Sequence, residues 1–255
     1  MLQGHNSGYS ALSWLLNRAS RVVILSGAGV STSAGIPDFQ SENGLYANAE
    51  TKDMFDVATF ASDPSVMYRG CKKLFARSAQ LTPAHRLFGM LERRGKLLRI
   101  YDQNVDGLTQ RALRNPEDKV RACHGTIMLS RCSKCDLKTG SAFFDSISGT
   151  GSVVLCPRCR EAIRPDVTLF GESLPESVFS DMFSDFRSAD LLLVMGTSLK
   201  VYPVAGLVNR VSDTCARVLI NRENVGNFSS SYRDVKLIGN IDDFVSDAVN
   251  ELKWE

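Results

Sequence analysis

The chain predicts a doubly wound α/β fold: a Rossmann-like parallel sheet covered on both faces by helices, with a smaller module set into it. Three observations lead there. Short apolar runs alternate with helical patterns, the first run ends on a glycine-rich turn, and two Cys-x-x-Cys pairs lie in a stretch of different composition.

The apolar runs are Arg21–Ser26, Leu97–Tyr101, Val120–Cys123, Leu191–Met195, Arg217–Asn221 and Val235–Ile238. They lack polar–apolar alternation, as strands buried on both faces do. Between them, helix ends can be read. Thr82 before Pro83 is an N-cap with proline at the first helical position, and Gly95 follows the end of that helix. Asp242 is expected to cap the last helix, whose Phe244, Val245, Ala248, Val249 and Leu252 share one face. Two segments interrupt the alternation: one with helical pieces and no strand run, the other rich in Cys, Gly, Ser and Lys. The expected organisation is a Rossmann-like domain of residues 1–40, 81–128 and 165–255, a helical insertion at 41–80 and a cysteine-bearing insertion at 129–164.

Composition narrows the function classes. With 255 residues, 44% hydrophobic and 23% charged, the chain reads as an ordinary globular protein. A net charge of +2 gives no argument for direct nucleic acid binding or for an acidic membrane surface. No apolar run approaches the roughly 20 residues that span a bilayer. Met1–Tyr9 lacks a basic start followed by an apolar stretch, so no secretory signal is expected. Seven cysteines is an odd number: four form the two pairs, and Cys71, Cys123 and Cys215 stand alone. That usage suits metal-bound thiolates in a reducing, intracellular compartment better than a disulfide framework; placement in the nucleus rather than the cytoplasm rests on family resemblance alone.

Cys132, Cys135, Cys156 and Cys159 follow the pattern C-x2-C-x20-C-x2-C. Each pair places two thiolates on one tight turn, and two such turns complete a tetrahedron around Zn2+. Four sulfur ligands leave no open position, so the expected zinc is structural, one per chain.

The first strand runs into Gly27-Ala28-Gly29, where backbone N–H groups can approach phosphate oxygens. The full GxGxxG pattern is not met, and no acidic residue is evident at the end of the second strand to take a ribose, which disfavours a common dehydrogenase. Other polar groups follow the remaining strands: Asn104 and Asp106, His124-Gly125, Gly196-Thr197-Ser198 and Asn221-Arg222-Glu223. Ligands gather at that edge of an open sheet. Of three histidines, His5 lies near the terminus and His85 sits inside a helix as a structural hydrogen-bonder. His124, directly after a strand, is the general-base candidate. Strand alternation turns the neighbouring Cys123 to the opposite face, in a packing role.

These residues resemble the sirtuin family, NAD-dependent protein lysine deacylases. The motifs run in order: Gly27-Ala28-Gly29-Val30-Ser31, Gly35-Ile36-Pro37-Asp38-Phe39, Gln103-Asn104-Val105-Asp106-Gly107, His124-Gly125, the two cysteine pairs, Pro165-Asp166-Val167 through Phe170-Gly171-Glu172, Gly196-Thr197-Ser198 and Asn221-Arg222-Glu223. The stretch Gly95–Gly107 and the segment Gly44-Leu45-Tyr46 are similar to the class that includes histone deacetylases of fungi and animals. The resemblance implies that the acetyl oxygen of a substrate lysine attacks the nicotinamide ribose, and that a ribose hydroxyl then attacks with a histidine as base, yielding O-acetyl-ADP-ribose and nicotinamide. It implies catalytic roles for His124, Asn104 and Asp106. It implies NAD contacts from Gly27, Ala28, Gly29, Ser31, Ile36, Asp38, Phe39, Gln40, Gln103, Asn104, Val105, Asp106, Gly196, Thr197, Ser198, Asn221, Arg222, Glu223 and Ile241. The segment Thr168–Glu172, through Thr168, Phe170, Gly171 and Glu172, and the segment Lys200–Tyr202, through Val201, would hold an acetylated lysine protein or peptide, a histone being a plausible one, as a strand between strands.

Departures qualify the resemblance. Gln40 stands where the family usually has Arg, and Asp102 where it often has Thr. Losing a charged hydrogen bond for a neutral one is worth about 1.4 kcal/mol, so weaker NAD binding and slow turnover are expected. The same NAD site would also serve a mono-ADP-ribosyltransferase, or a catalytically weakened module that binds acetyl-peptide or an NAD metabolite.

Overall fold

In a computed structural model of the chain, residues 8–38, 44, 47, 51–75, 79–174, 176–229 and 233–254 are described. Six parallel strands form the main sheet: β1 (Val22–Ser26), β2 (Leu97–Asp102), β3 (Val120–Ala122), β6 (Leu191–Met195), β7 (Ala216–Asn221) and β8 (Asp234–Ile238). Their order is β3-β2-β1-β6-β7-β8. The strand order reverses beside β1, the switch point at which open α/β sheets bind ligands. Each apolar run predicted from sequence is a strand of this sheet.

Burial on both faces explains the missing alternation. Val22 and Ile24 of β1 pack with Leu193, Val218 and Ile220 against helices α1 (Gly8–Arg18), α4 (Pro83–Arg93) and α10 (Ile241–Leu252). Val23 and Leu25 face the other way, with Leu192, Val194 and Leu219, onto α8 (Ser177–Ser180), α9 (Met182–Ser188) and the short helical stretch Val204–Asn209. A fully buried aliphatic side chain contributes about 1.5–3 kcal/mol, so both layers hold the sheet. Thr82 caps α4, with Pro83 at the first position and Gly95 beyond the end at φ +66°. The cap of α10 differs from expectation. Asn240, not Asp242, is the N-cap: its Oδ1 accepts from the Asp242 N–H at 2.9 Å, and the helix begins one residue before Asp242.

A second, smaller body carries helices α2 (Val57–Ser62), α3 (Pro64–Phe75) and α7 (Ala142–Ser148). It also holds an antiparallel pair, β4 (Gly125–Cys132) and β5 (Ile163–Val167). Its core joins Met54, Phe60, Met67 and Tyr68 to Ile127, Phe143 and Ile163. The Tyr68 hydroxyl donates to the Ile163 carbonyl at 2.9 Å and accepts from the Val154 N–H at 3.1 Å, tying helix to metal-binding hairpin. Residues 51–75 and 127–169, distant in sequence, thus build one core. Short helices α5 (Leu108–Arg111) and α6 (Pro116–Lys119) connect β2 to β3.

Candidate active site and metal centre

The turn after β1 meets the turn after β6 backbone to backbone. The Gly29 N–H donates to the Gly196 carbonyl at 2.8 Å. A Cβ on Gly29 would stand 2.6 Å from the Gly196 Cα, and Gly196 itself has φ +63°. No larger residue fits this contact, which opens a path for a phosphate-bearing ligand along the strand ends.

A cleft of about 1310 Å³ runs along that edge and on to the smaller body. It is lined by Ala28, Gly29 and Asp38 after β1, Gln103, Asn104 and Val105 after β2, and His124 after β3. Gly196, Thr197 and Ser198 follow β6, Asn221, Arg222 and Glu223 follow β7, and Ile241 opens α10. On the far side lie Thr168, Phe170, Gly171 and Glu172, facing Lys200, Val201 and Tyr202. All of these are candidate contacts in the motif assignment, Lys200 and Tyr202 as the flanks of Val201. Gly27, Ser31, Ile36 and Asp106 do not line the cleft and stand behind it. Ser31 Oγ donates to Asp106 Oδ2 at 2.7 Å, and Ile36 packs on the smaller core. Phe39, Gln40, the Leu45-Tyr46 pair and His5 lie outside the described residues. The motifs miss Thr32, Ser33, Phe55, Leu174, Val225 and Asn240, which also line the cleft. Thr32 and Ser33 sit inside the glycine-rich turn and were findable, whereas Phe55 arrives by a tertiary contact, the Phe170 N–H donating to its carbonyl.

His124 is oriented by the main chain. Its Nδ1 lies 2.8 Å from the Gln103 carbonyl. A carbonyl only accepts, so Nδ1 carries the proton and Nε2 keeps its lone pair. Burial lowers its pKa below the usual 6.5, against the upward pull of the Gln103 hydrogen bond. Gln103 is itself fixed, Oε1 accepting from Thr197 Oγ1 at 2.6 Å. Asn104 Nδ2 donates to the Gly27 carbonyl at 3.2 Å and reaches Ser31 Oγ at 3.4 Å. Cys123 is fully buried on the opposite face, and burial raises its thiol pKa. His85 is buried in α4 with Nδ1 2.8 Å from Thr82 Oγ1, its pKa pushed down to about 4 by burial.

Arg164 and Glu172 clasp the far side of the cleft. The guanidinium donates to both carboxylate oxygens, at 2.6 and 2.7 Å, and to the Val167 carbonyl at 2.7 Å. Glu172 also accepts the Leu169 N–H at 2.9 Å, and the Arg164 contact holds its pKa below the ordinary carboxylate value. The clasp fixes residues 167–172, and the Thr168 N–H donates to the His124 carbonyl at 2.9 Å. Across the cleft, Arg222 pairs with Asp38 at 3.1 Å.

The ligand atoms of Cys132, Cys135, Cys156 and Cys159 all lie within 4.8 Å of one another. The Cys132–Cys159 and Cys135–Cys156 sulfur separations are 3.3 and 3.7 Å, and no disulfide joins them. Zn–S bonds of about 2.3 Å in a tetrahedron place sulfurs about 3.8 Å apart, so the donor set fits a structural zinc. Backbone N–H groups of Lys134 and Cys135 point at Cys132 Sγ, and that of Arg158 at Cys156 Sγ, which favours thiolates.

Fold and site together define an α/β nucleotide-binding protein with a four-cysteine metal module. Residues 27–203 match the Sir2 family. The chain is 34% identical over 267 residues to the NAD-dependent protein deacetylase sirtuin-2 of Danio rerio, covering 94% of this chain and 70% of that protein. It is 32% identical over 270 residues to the NAD-dependent histone deacetylase sirtuin-1 of Drosophila melanogaster, covering 93% of this chain and 32% of that one. The fold is similar, with a TM-score of 0.81 and 30% identity, to a Sir2 protein solved with a deacetylated p53 peptide and 3′-O-acetyl ADP ribose; the match covers 96% of this chain and 99% of that one. The chain belongs to the Sir2 family. It spans about a third to about a half of the length of the first curated relatives it matches.

Proposed function

We propose that the chain is an NAD-dependent protein lysine deacetylase that moves the acetyl group of acetyl-lysine to ADP-ribose and releases nicotinamide. The observation that carries this is His124 Nε2, held as a base where the strand-end edge meets the clasped segment 167–172. The names of the relatives and the acetylated ADP ribose in the similar Sir2 structure support it.

Bound NAD would supply the ribose that accepts the acetyl group and the nicotinamide that leaves. The chain does the rest. The Gly29–Gly196 junction and the lining residues of β6, β7 and α10 hold the dinucleotide. Asn104 orients polar groups at the inner end, where Val105 and Ala28 exclude water. Nε2 of His124 takes a proton from a substrate hydroxyl. The peptide lies between residues 168–172 and 200–202 and is held by main-chain hydrogen bonds, so its sequence preference is mild. A histone is a suitable substrate on the names of two relatives, and nucleus or cytoplasm suits such a substrate and the reduced cysteines. No described helix is long and apolar enough to cross a membrane.

The same assignment divides the chain into a Rossmann-like domain (1–40, 81–128, 165–255), a helical insertion (41–80) and a zinc-binding insertion (129–164). The core shared by residues 51–75 and 127–169 supports the two insertions, which it joins in one body; β4 crosses the boundary at 128, β5 crosses the one at 164, and Ile127, Val167 and Leu169 of the flanking segments pack into the same core. Mass spectrometry of the products with NAD and an acetyl-lysine peptide tests the function. O-acetyl-ADP-ribose is expected; a modified protein carrying ADP-ribose would point to the transferase instead.

A further inference from the structure

Asp102 closes β2 beneath the cleft and is fully buried. Its Oδ1 accepts from Ser26 Oγ on β1 at 2.9 Å and from the Asn104 backbone N–H at 3.1 Å. Among the described residues its Oδ2 has no hydrogen-bond partner, and neither has Oγ1 of Thr109, the nearby α5 hydroxyl that interacts with this carboxyl. No ion pair reaches Asp102 among the described residues. Its titratable neighbours are Asp106 in the same loop and Cys123 after β3, whose backbone N–H donates to the Asp102 carbonyl at 2.7 Å. Arg111 of α5 acts on Asp106, and His85 of α4 is neutral at working pH.

A buried carboxylate without a cation, beside a second carboxylate, is unfavourable. A neutral carboxylic acid suits the same place: its carbonyl oxygen accepts from Ser26 and Asn104, and its O–H is a donor for Thr109. Burial first, then the charge of Asp106, pushes the Asp102 carboxyl up to about 7. We propose that Asp102 is a positioning residue of the deacetylase site: as a neutral acid it rests against Ser26 and the Asn104 main chain, whereas ionisation of its carboxyl sets a second buried charge beside Asp106, pushes the loop that carries Asn104 out of place and lowers turnover. The inference rests on the deacetylase assignment.

The test compares the pH profile of kcat, and of KM for NAD, in the full chain and in Asp102→Asn. Asn keeps the shape, offers the same acceptor and donors, and does not ionise. Both proteins should gain activity on the acid side, below about pH 6.5, as His124 loses its proton. The unsubstituted chain should then lose several-fold in kcat between about pH 7 and about pH 9, and Asp102→Asn should not. An equal alkaline fall in both, or a flat profile in the unsubstituted chain, overturns the proposal.

Melting temperatures of the same pair need no turnover. The folded carboxyl holds its proton to about pH 7 and the unfolded one to about pH 3.9, so unfolding releases a proton in between and stability falls as pH rises through that window. The gap in favour of Asp102→Asn should therefore widen from about pH 4 to about pH 7. A constant gap, or an Asp102→Asn chain that does not fold, overturns the proposal. A widening gap with no deacetylation at any pH supports the buried acid and overturns the deacetylase assignment.

Discussion

Nδ1 of His124 donates to the Gln103 backbone carbonyl, so a main-chain group just after β2, not another side chain, sets the tautomer that leaves Nε2 unprotonated. Single residues elsewhere carry comparable consequences. Position 40 is Gln where the family motif usually has Arg, a neutral group in place of a cation for a ligand whose diphosphate is negatively charged. Gln40→Arg should tighten NAD binding about tenfold, measured by calorimetry. Unchanged affinity and unchanged turnover would sink the expectation that Gln40 weakens the site. Asp102 shows the limit of residue-level reading. β2 runs one residue further than its apolar run and closes on Asp102, so an acidic residue does end the second strand, against expectation; the fold buries it with Ser26 and Asn104, away from any ribose.

At the scale of elements, the segment from 167 to 172 depends on one clasp. Arg164 is nearly buried, its side chain 8% exposed, and Glu172 neutralises it. Glu172→Ala strands that guanidinium and should cost about 2–3 kcal/mol in denaturant unfolding, with a raised KM for the peptide. A loss below about 0.5 kcal/mol would mean the pair acts as an exposed one. The six sheet strands were legible because burial on both faces leaves continuous apolar runs such as Leu191–Met195. β4 and β5 were not. β4 mixes Arg131 and Ser130 with apolar residues and shifts register between Thr126 and Ser130, while β5 carries Pro165 and Asp166. Their pairing depends on the metal turns and on Tyr68 from a helix 95 positions away, which no local pattern records. The cap of α10 failed as an expectation for a related reason: Asn240 and Asp242 are both good caps, and only the observed helix start separates them.

The whole molecule is a sheet domain and a metal-bearing body with the cleft between them. The motif residues after β1, β2, β3, β6 and β7 were legible as a set because parallel strands deliver their C-terminal ends to one edge. Phe55, Leu174 and Val225 complete the lining through packing alone. Zinc lies outside the chemistry. Chelation should release one zinc per chain and abolish activity by loosening the smaller body, seen as lost near-ultraviolet dichroism and faster proteolysis there. Activity lost with that body's packing and NAD binding both intact would contradict a purely structural metal.

In the proposed function the strand-end cleft couples NAD cleavage to removal of an acetyl group, with His124 as base. Its most direct measurement is nicotinamide release with NAD, in the presence and absence of an acetyl-lysine peptide, for the unsubstituted chain and His124→Ala. Peptide-dependent release matched one for one by O-acetyl-ADP-ribose is expected, falling about 10²- to 10⁴-fold in His124→Ala while NAD binding persists. Peptide-independent release, or a His124→Ala chain that deacetylates at the original rate, would contradict the account.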